Sequence, residues 1–287
     1  MIVEKDRTQT HRTSRKWIVR ILLALLLTGL AGTVGSYRLT TGRYTLHTPK
    51  LRAPVRLLLI ADLHSCRYGK RQEKIIRAIE AERPDALMFC GDIADDKLPH
   101  ENAKLVIDAL AKRYPSFYVT GNHEYWSGEA DALKESFRRS GATILEGAHT
   151  LLTIRDERLT VCGIDDPESG RFAEQLTTAA KGIDAARYTI LLAHRPEAFP
   201  QYAAHGFDLV LSGHAHGGLW RVPWILKGFA APNQGFFPKY TSGIYEEGNT
   251  AMVVSRGLAR ESTRIPRLFN TVELVVVDIL PATAANP

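Results

Sequence analysis

Cysteine is scarce. The 287 residues hold three, Cys66, Cys90 and Cys162, odd in number and without paired spacing, which excludes a disulfide-built scaffold. Free thiols favour a reducing compartment. Charge of one sign is scarce too, once the N-terminus is set aside. The formal net charge is +6, of which residues 1–36 supply +4 through Lys5, Arg7, Arg12, Arg15, Lys16 and Arg20 against Glu4 and Asp6. The +2 carried by the rest is no electrostatic footprint for a polyanion, so no nucleic-acid partner is indicated. No repeat or low-complexity tract appears. With 45% hydrophobic and 24% charged residues, the chain has the composition of a globular protein that can bury a sizeable core.

One stretch lacks charge altogether. From Ile21 to Tyr37 there is no Asp, Glu, Lys or Arg. Its length is near the lower limit for crossing a bilayer, and Trp17 and Tyr37 stand where interfacial aromatics are expected. The basic flank favours a single-pass membrane anchor. A cleaved signal peptide, given the small residues after the apolar run, and a buried core helix are the other readings. Basic residues ahead of the span favour a cytoplasmic N-terminus and a domain outside the cytoplasm. Arg38, Arg43, Lys50, Arg52 and Arg56 after the span weaken that asymmetry, and the free thiols point the other way. The expected organisation is a basic arm (1–17), a transmembrane anchor (18–37), a polar linker with room for a short strand (38–54), one domain (55–280) and a small-residue tail (281–287).

Within the domain, apolar runs of strand length alternate with amphipathic stretches. Strands are expected at 55–61, 85–90, 117–119, 143–145, 151–154, 159–164, 188–193, 209–212, 250–255 and 274–279, and helices at 70–82, 102–112 and 129–139. Strand then helix, repeated, is the pattern of an α/β domain with largely parallel pairing.

The strand ends carry the chemistry. The first closes in Asp62-Leu63-His64 and the second in Gly91-Asp92-Ile93-Ala94-Asp95. The third closes in Gly121-Asn122-His123-Glu124, a later one in His194, and the next in Gly213-His214-Ala215-His216. Each cluster alone reads equally as a turn or a satisfied core residue. Together they fall where open α/β sheets bind ligands, outside the carboxyl ends of strands. Carboxylates, imidazoles and an amide, without thiolates, suit zinc, manganese or iron. Seven such groups exceed the needs of one ion and suit two.

This ordered series resembles the calcineurin-like metallophosphoesterase superfamily, over roughly residues 55–280. The N-terminal anchor and Val254-Ser255-Arg256-Gly257-Leu258 are similar to a membrane-associated bacterial branch. The resemblance implies two packed mixed β-sheets flanked by helices, and hydrolysis of a phosphate ester by a hydroxide bridging two divalent metals. By position, Asp62, His64 and His216 would hold one metal, and Asn122, His194 and His214 the other, with Asp92 bridging. His123 would contact phosphate and protonate the leaving oxygen, and Asp95 would orient a ligand or His123.

Arg67 is a further candidate for a phosphate contact. Asp165 and Asp166 read as a polar turn, with contact to a ligand from outside as the alternative reading. Cys66 and Cys90, close to candidate ligands, read as buried inert thiols. The C-terminal third interleaves Lys227, Lys239, Arg256, Arg260, Arg264 and Arg267 with Trp220, Trp224, Phe229, Phe236, Phe237 and Tyr240. It reads as a long structured connection, as a substrate cap, or as a face resting on anionic lipid. Two substrate classes follow: a phosphodiester or phosphomonoester outside the membrane, or the pyrophosphate of a lipid-linked UDP-acyl-sugar at its surface. A metal-dependent binding protein without turnover is the non-enzymatic alternative.

Overall fold

Strands that are apolar on both faces must be covered on both faces, and this sets the architecture. In the run Val55–Ile60, Leu57 and Leu59 point one way and Leu58 and Ile60 the other, and all four are fully buried. The computed structural model describes residues 7–262 and 265–282. The first six residues of the basic arm, Arg264 and most of the expected tail lie outside the described residues.

The chain enters through α1 (Arg7–Ser36), β1 (Thr40–Thr48), β2 (Val55–Ile60), α2 (Glu73–Ala81), β3 (Ala86–Cys90) and α3 (Glu101–Leu110). It continues through β4 (Ser116–Val119), α4 (Asn122–Trp126), α5 (Ala130–Arg139) and β5 (Thr143–Ile144). The second half holds β6 (Ala148–Ile154), β7 (Glu157–Gly163), α6 (Phe172–Ala180), β8 (Tyr188–Leu192), α7 (Phe199–Ala203) and β9 (Leu209–Ser212). The last strands are β10 (Ala230–Ala231), β11 (Gly235–Phe236), β12 (Gly243–Glu247), β13 (Thr250–Val254) and β14 (Glu273–Pro281).

Two six-stranded sheets result, ordered β1-β14-β2-β3-β4-β5 and β12-β13-β9-β8-β7-β6. Pairing is parallel along β2-β3-β4-β5 and β13-β9-β8-β7, and antiparallel at β14/β2, β12/β13 and β6/β7, so both sheets are mixed. They pack face to face over Leu57, Leu59, Met88, Leu192, Leu211 and Val253. Ile75, Val106 and Phe137 from α2, α3 and α5 cover the outer face of the first sheet. Leu176 and Phe199 from α6 and α7 cover that of the second. The order helix–sheet–sheet–helix matches the fold class expected from the resemblance.

Several expectations need correction. The stretch read as a linker contains a nine-residue edge strand, β1, paired in parallel with β14 along its whole length. Its alternation was hidden because an edge strand shows one face to solvent. Only Tyr44 and Leu46 pack on the inter-sheet core, and Pro49 and Pro54 fall after the strand, where they break no ladder. The helix expected from Lys70 starts later, at Glu73. Gln72 turns inward with a left-handed backbone, accepts the Tyr68 N–H (2.6 Å) and donates to the Cys66 carbonyl (2.9 Å). Helix α6 was not anticipated, since Thr177 and Thr178 blur its apolar face.

Residues Lys16–Ser36 of α1 form one helix long and apolar enough to cross a membrane, with a mean hydropathy of 2.0. Only 6% of that window is buried, which rules out the core-helix reading. At its C-terminal end the helix is tied to the domain: the Val272 N–H donates to the Ser36 carbonyl (3.0 Å) and the Asn270 N–H to Ser36 Oγ (3.0 Å).

The inter-sheet layer should dominate stability. Leu211→Ala, fully buried there, is expected to cost about 2–5 kcal/mol in denaturant unfolding. Leu151→Ala on the exposed flank of β6 should stay within about 0.5 kcal/mol of wild type.

Candidate metal centre

The carboxyl ends of β2, β3 and β4 in one sheet and of β8 and β9 in the other meet along one edge, and backbone hydrogen bonds lace their loops together. The Asp62 and His64 N–H groups donate to the Gly91 (3.0 Å) and Asp92 (2.8 Å) carbonyls. Across the sheets, the His214 N–H donates to Asp62 Oδ1 (2.9 Å), and His194 donates from Nδ1 to the Cys90 carbonyl (2.8 Å). That last bond fixes the ring so that Nε2 faces inward.

Bringing so many side chains to one point bends the backbone. Asp62, His64, Asp92, His214 and His216 all have left-handed φ, between 47° and 64°, a conformation that costs a residue with a side chain about 1–3 kcal/mol. Two glycines make room. A Cβ on Gly121 would lie 2.2 Å from Asp92 Oδ1, and one on Gly213 would lie 2.6 Å from Asp62 Oδ2.

Three trios form among the described residues, the candidate ligand atoms of each lying within 4.8 Å of one another: Asp62 with His64 and His216, Asp92 with His194 and His214, and His64 with Asp95 and His123. The first two hold the expected ligands. Asp92 Oδ2 stands between them, 3.5 Å from His64 Nε2 and 3.2 Å from His194 Nε2. Among the described residues, Asp92 Oδ2, His64 Nε2, Asn122 Oδ1 and His216 Nδ1 are buried without a hydrogen-bond partner. Unpaired buried polar atoms are costly. Three of them on residues already grouped by geometry, with Asn122 next to His123 as the fourth, fit a site built for cations, and the mixed N/O donor set fits a transition-metal dication.

The protonation pattern fits at His214 and His216, which are held neutral, and not at His194, which is held charged. Burial alone would keep Asp92 neutral, but His194 and His64 beside it hold its carboxyl well below the usual range. Burial pushes Asp62 up to about 6, with Asp92 adding to the shift. Burial would lower His194, yet Asp92 brings it up to about 10. His214 and His216 are held well below the ordinary imidazole value, by burial first and by the neighbouring His194 and His64 next. A neutral imidazole is the form that ligates metal.

The surrounding residues divide more finely than the sequence indicated. Asp95 binds a candidate ligand, His64 Nδ1 at 3.0 Å, whereas Asp96 is the closer partner of His123 Nδ1, at 2.7 Å against 3.6 Å for Asp95. Glu124, given no role from sequence, lies fully buried and accepts the N–H groups of Asp92, Ile93, Ala94 and Gly121. Burial, with Asp92 close by, pushes its carboxyl up to about 7. Asp165 and Asp166 are more than a polar turn: both are buried, and Asp166 pairs with Arg195 (2.6 Å). Arg195 in turn donates to Asn233 Oδ1 (2.7 Å), which accepts from His214 Nε2 (2.8 Å). The Asn233 turn carries no local signal of this contact, because its partner lies 19 residues away in sequence.

Arg67 is the exception among the candidates. It follows the buried Ser65-Cys66 turn on the outside, exposed, with its backbone N–H donated to Glu261, and it is absent from the lining of the cleft above the ligands. Cys66 and Cys90 are buried, and burial pushes both thiols up, as expected of inert cysteines. The cleft itself encloses about 470 Å³ between His64, His123 and His216 on one side and Trp126, Leu219 and Ile265 on the other.

A mixed two-sheet sandwich with aspartates, histidines and an asparagine gathered at its joined strand ends is the arrangement of a metal-dependent phosphoester hydrolase. The chain belongs to the calcineurin-like phosphoesterase family, whose model matches residues 55–218. It is 31% identical over 271 residues to an uncharacterized metallophosphoesterase of Aquifex aeolicus, covering 90% of this chain and 98% of that protein. It is 27% identical over 213 residues to the phosphodiesterase YaeI of Escherichia coli (72% and 76% covered). A bovine transmembrane protein with metallophosphoesterase domain is 28% identical over 280 residues (86% and 59% covered). Members of this family use divalent metals, and the chain is a hydrolase of this kind.

The Asn233 contact makes a specific expectation. Asn233→Ala removes the acceptor that holds His214 and should weaken divalent-metal affinity about 10–100-fold in a metal titration. Because Asn233 is exposed on a turn, the unfolding midpoint should stay near wild type.

Proposed function

We propose that the chain is a membrane-anchored phosphodiesterase working with two divalent cations. The observation that carries this reading is the pair of trios joined through Asp92 Oδ2, with four buried ligand atoms otherwise unpartnered. Asp62, His64 and His216 would hold one cation, Asn122, His194 and His214 the other, and Asp92 both. Such a pair, when bound, activates a water and offsets the charge that grows on the phosphoryl oxygens. Water supplies the oxygen that bonds to phosphorus, the ester P–O bond breaks, and a phosphomonoester and an alcohol leave.

His123 is the proton donor for the departing oxygen. It lines the cleft, 20% exposed, and Asp96 engages Nδ1, which leaves Nε2 for the substrate. Burial and the nearby His64 lower its pKa, which makes the protonated ring a stronger acid toward an alkoxide. The name of the E. coli relative supports a diester as substrate, and that of the bovine relative supports a membrane setting. The basic residues Arg12, Arg15, Lys16 and Arg20 ahead of the apolar part of α1 support a domain outside the cytoplasm.

Purified full-length protein supplied with Mn²⁺ is expected to hydrolyse bis(p-nitrophenyl) phosphate and to lose the activity on chelation. Asp92→Asn should lower both bound metal and turnover, the latter about 10²-fold or more. His123→Ala should lower kcat about 10²–10⁴-fold with metal content near wild type. Metal loss in His123→Ala would reassign it as a ligand, and inertness with every divalent cation tried would sink the reading.

A further inference from the structure

The loop that follows the last candidate ligands carries an apolar surface that catalysis leaves unused. Val222 and Leu226 close a hairpin whose tip exposes Trp224 completely and Ile225 almost so, at 84%. Phe236 and Phe237, 71% and 69% exposed, pack on Phe229, which stacks on Trp220 at the base of the hairpin. A monomeric soluble protein seldom leaves such side chains contiguous and open. From Leu219 to Tyr240 there is no Asp or Glu, while Arg221, Lys227 and Lys239 supply positive charge. The basic face expected of the C-terminal third is thus narrower than its sequence implies. Arg256 pairs with Glu273 (2.9 Å) and Arg267 is buried, whereas Lys227 and Lys239 are exposed.

The position of this loop identifies what covers it. Trp220 bridges to Leu268 and donates from its indole to the Pro266 carbonyl (2.9 Å). The next residue, Phe269, lies against α1: its N–H donates to the Gly32 carbonyl (3.3 Å), and a Cβ on Gly32 would fall 2.5 Å from its ring. Gly32 is one turn inside the apolar helix, about 6 Å from its end at 1.5 Å per residue. Phe269 therefore sits at the depth where the helix leaves the bilayer, and the aromatic loop is continuous with it. Its neighbour Asn270 donates to the His216 carbonyl (2.7 Å) and the Leu219 carbonyl (3.0 Å), so one residue separates that level from a candidate ligand.

We infer that loop 219–237 is a second membrane contact, occupied by anionic lipid, which holds the mouth of the metal cleft against the bilayer so that the site works on phosphate esters carried by lipid. This rests on the reading of α1 as an anchor and of the centre as a phosphoesterase. Exposed aromatics without acidic neighbours, flanked by lysines, suit the interface of an anionic membrane. Leu219, Ile265 and Trp126 on the cleft wall give an acyl-bearing substrate an apolar path to the metal centre.

Full-length protein in phosphatidylglycerol–phosphatidylethanolamine vesicles tests this in two ways. Brominated lipid should quench fluorescence that is present in wild type and missing in Trp224→Phe; absence of such quenching overturns the lipid contact. The variant Trp224→Ser/Ile225→Ser/Phe236→Ser/Phe237→Ser should hydrolyse vesicle-embedded hexadecyl p-nitrophenyl phosphate about tenfold more slowly than wild type. Its turnover of soluble methyl p-nitrophenyl phosphate should be unchanged. Equal loss on both esters, or on neither, overturns the role in substrate presentation. Inertness of wild type toward both overturns the phosphoesterase reading and the substrate class with it, while Trp224 quenching still decides the lipid contact.

Discussion

A carboxylate held away from water needs cations or N–H groups around it, and meeting that need at Asp92 organises this molecule. Its Oδ1 takes the His123 N–H (2.8 Å), its Oδ2 faces His64 and His194, and its own N–H is held by Glu124 (2.9 Å). These partners arrive from three strand ends, those of β2 and β4 in one sheet and of β8 in the other. Neither sheet could supply them alone. The sandwich therefore serves as more than a way to bury leucine and valine: its packing registers two sets of parallel strands so that their carboxyl ends face one buried anion.

The same requirement explains the second ring of residues. Glu124 fixes three successive N–H groups of the Asp92 loop, Asp95 fixes the His64 ring, and Asn233 fixes His214 through a chain that begins at Asp166. The His64 and His214 rings are thereby each left with one nitrogen directed inward. Without these outer contacts, five strained backbone positions and several buried polar atoms would have little reason to persist; with them, the geometry is set before any ligand arrives.

The parts legible in the sequence are those with a local signature. The uninterrupted run Val55–Ile60 announced a strand covered on both faces, and the polar residues after each such run announced the site. The seven candidate ligands were legible as a set because each follows a strand closely. Asn233, Arg195 and Asp96 were not, since what makes them matter is a contact across the fold. Strand β1 was legible only as room for a short strand, because Tyr44 and Leu46 are its only apolar residues packed on the core and its partner β14 is more than two hundred residues away. Arg67 shows the converse error. Proximity in sequence to His64 placed it at the site, but its side chain is exposed between the buried Cys66 and Tyr68.

The parallel pairing of β1 with β14 also has a mechanical side. The apolar helix joins the domain at the start of β1, so a pull from that helix along the strand loads the nine-residue ladder in shear. In shear the cross-strand hydrogen bonds bear force together, whereas a peeled hairpin loses them one at a time. The start of β1 lies at the same end of the first sheet as the carboxyl ends of β2 and β3, since Gly42 pairs with Val275, Val275 with Leu59 and Leu59 with Met88. The load therefore enters beside the loops that gather around Asp92, and the ladder carries it from there toward the far end of the sheet.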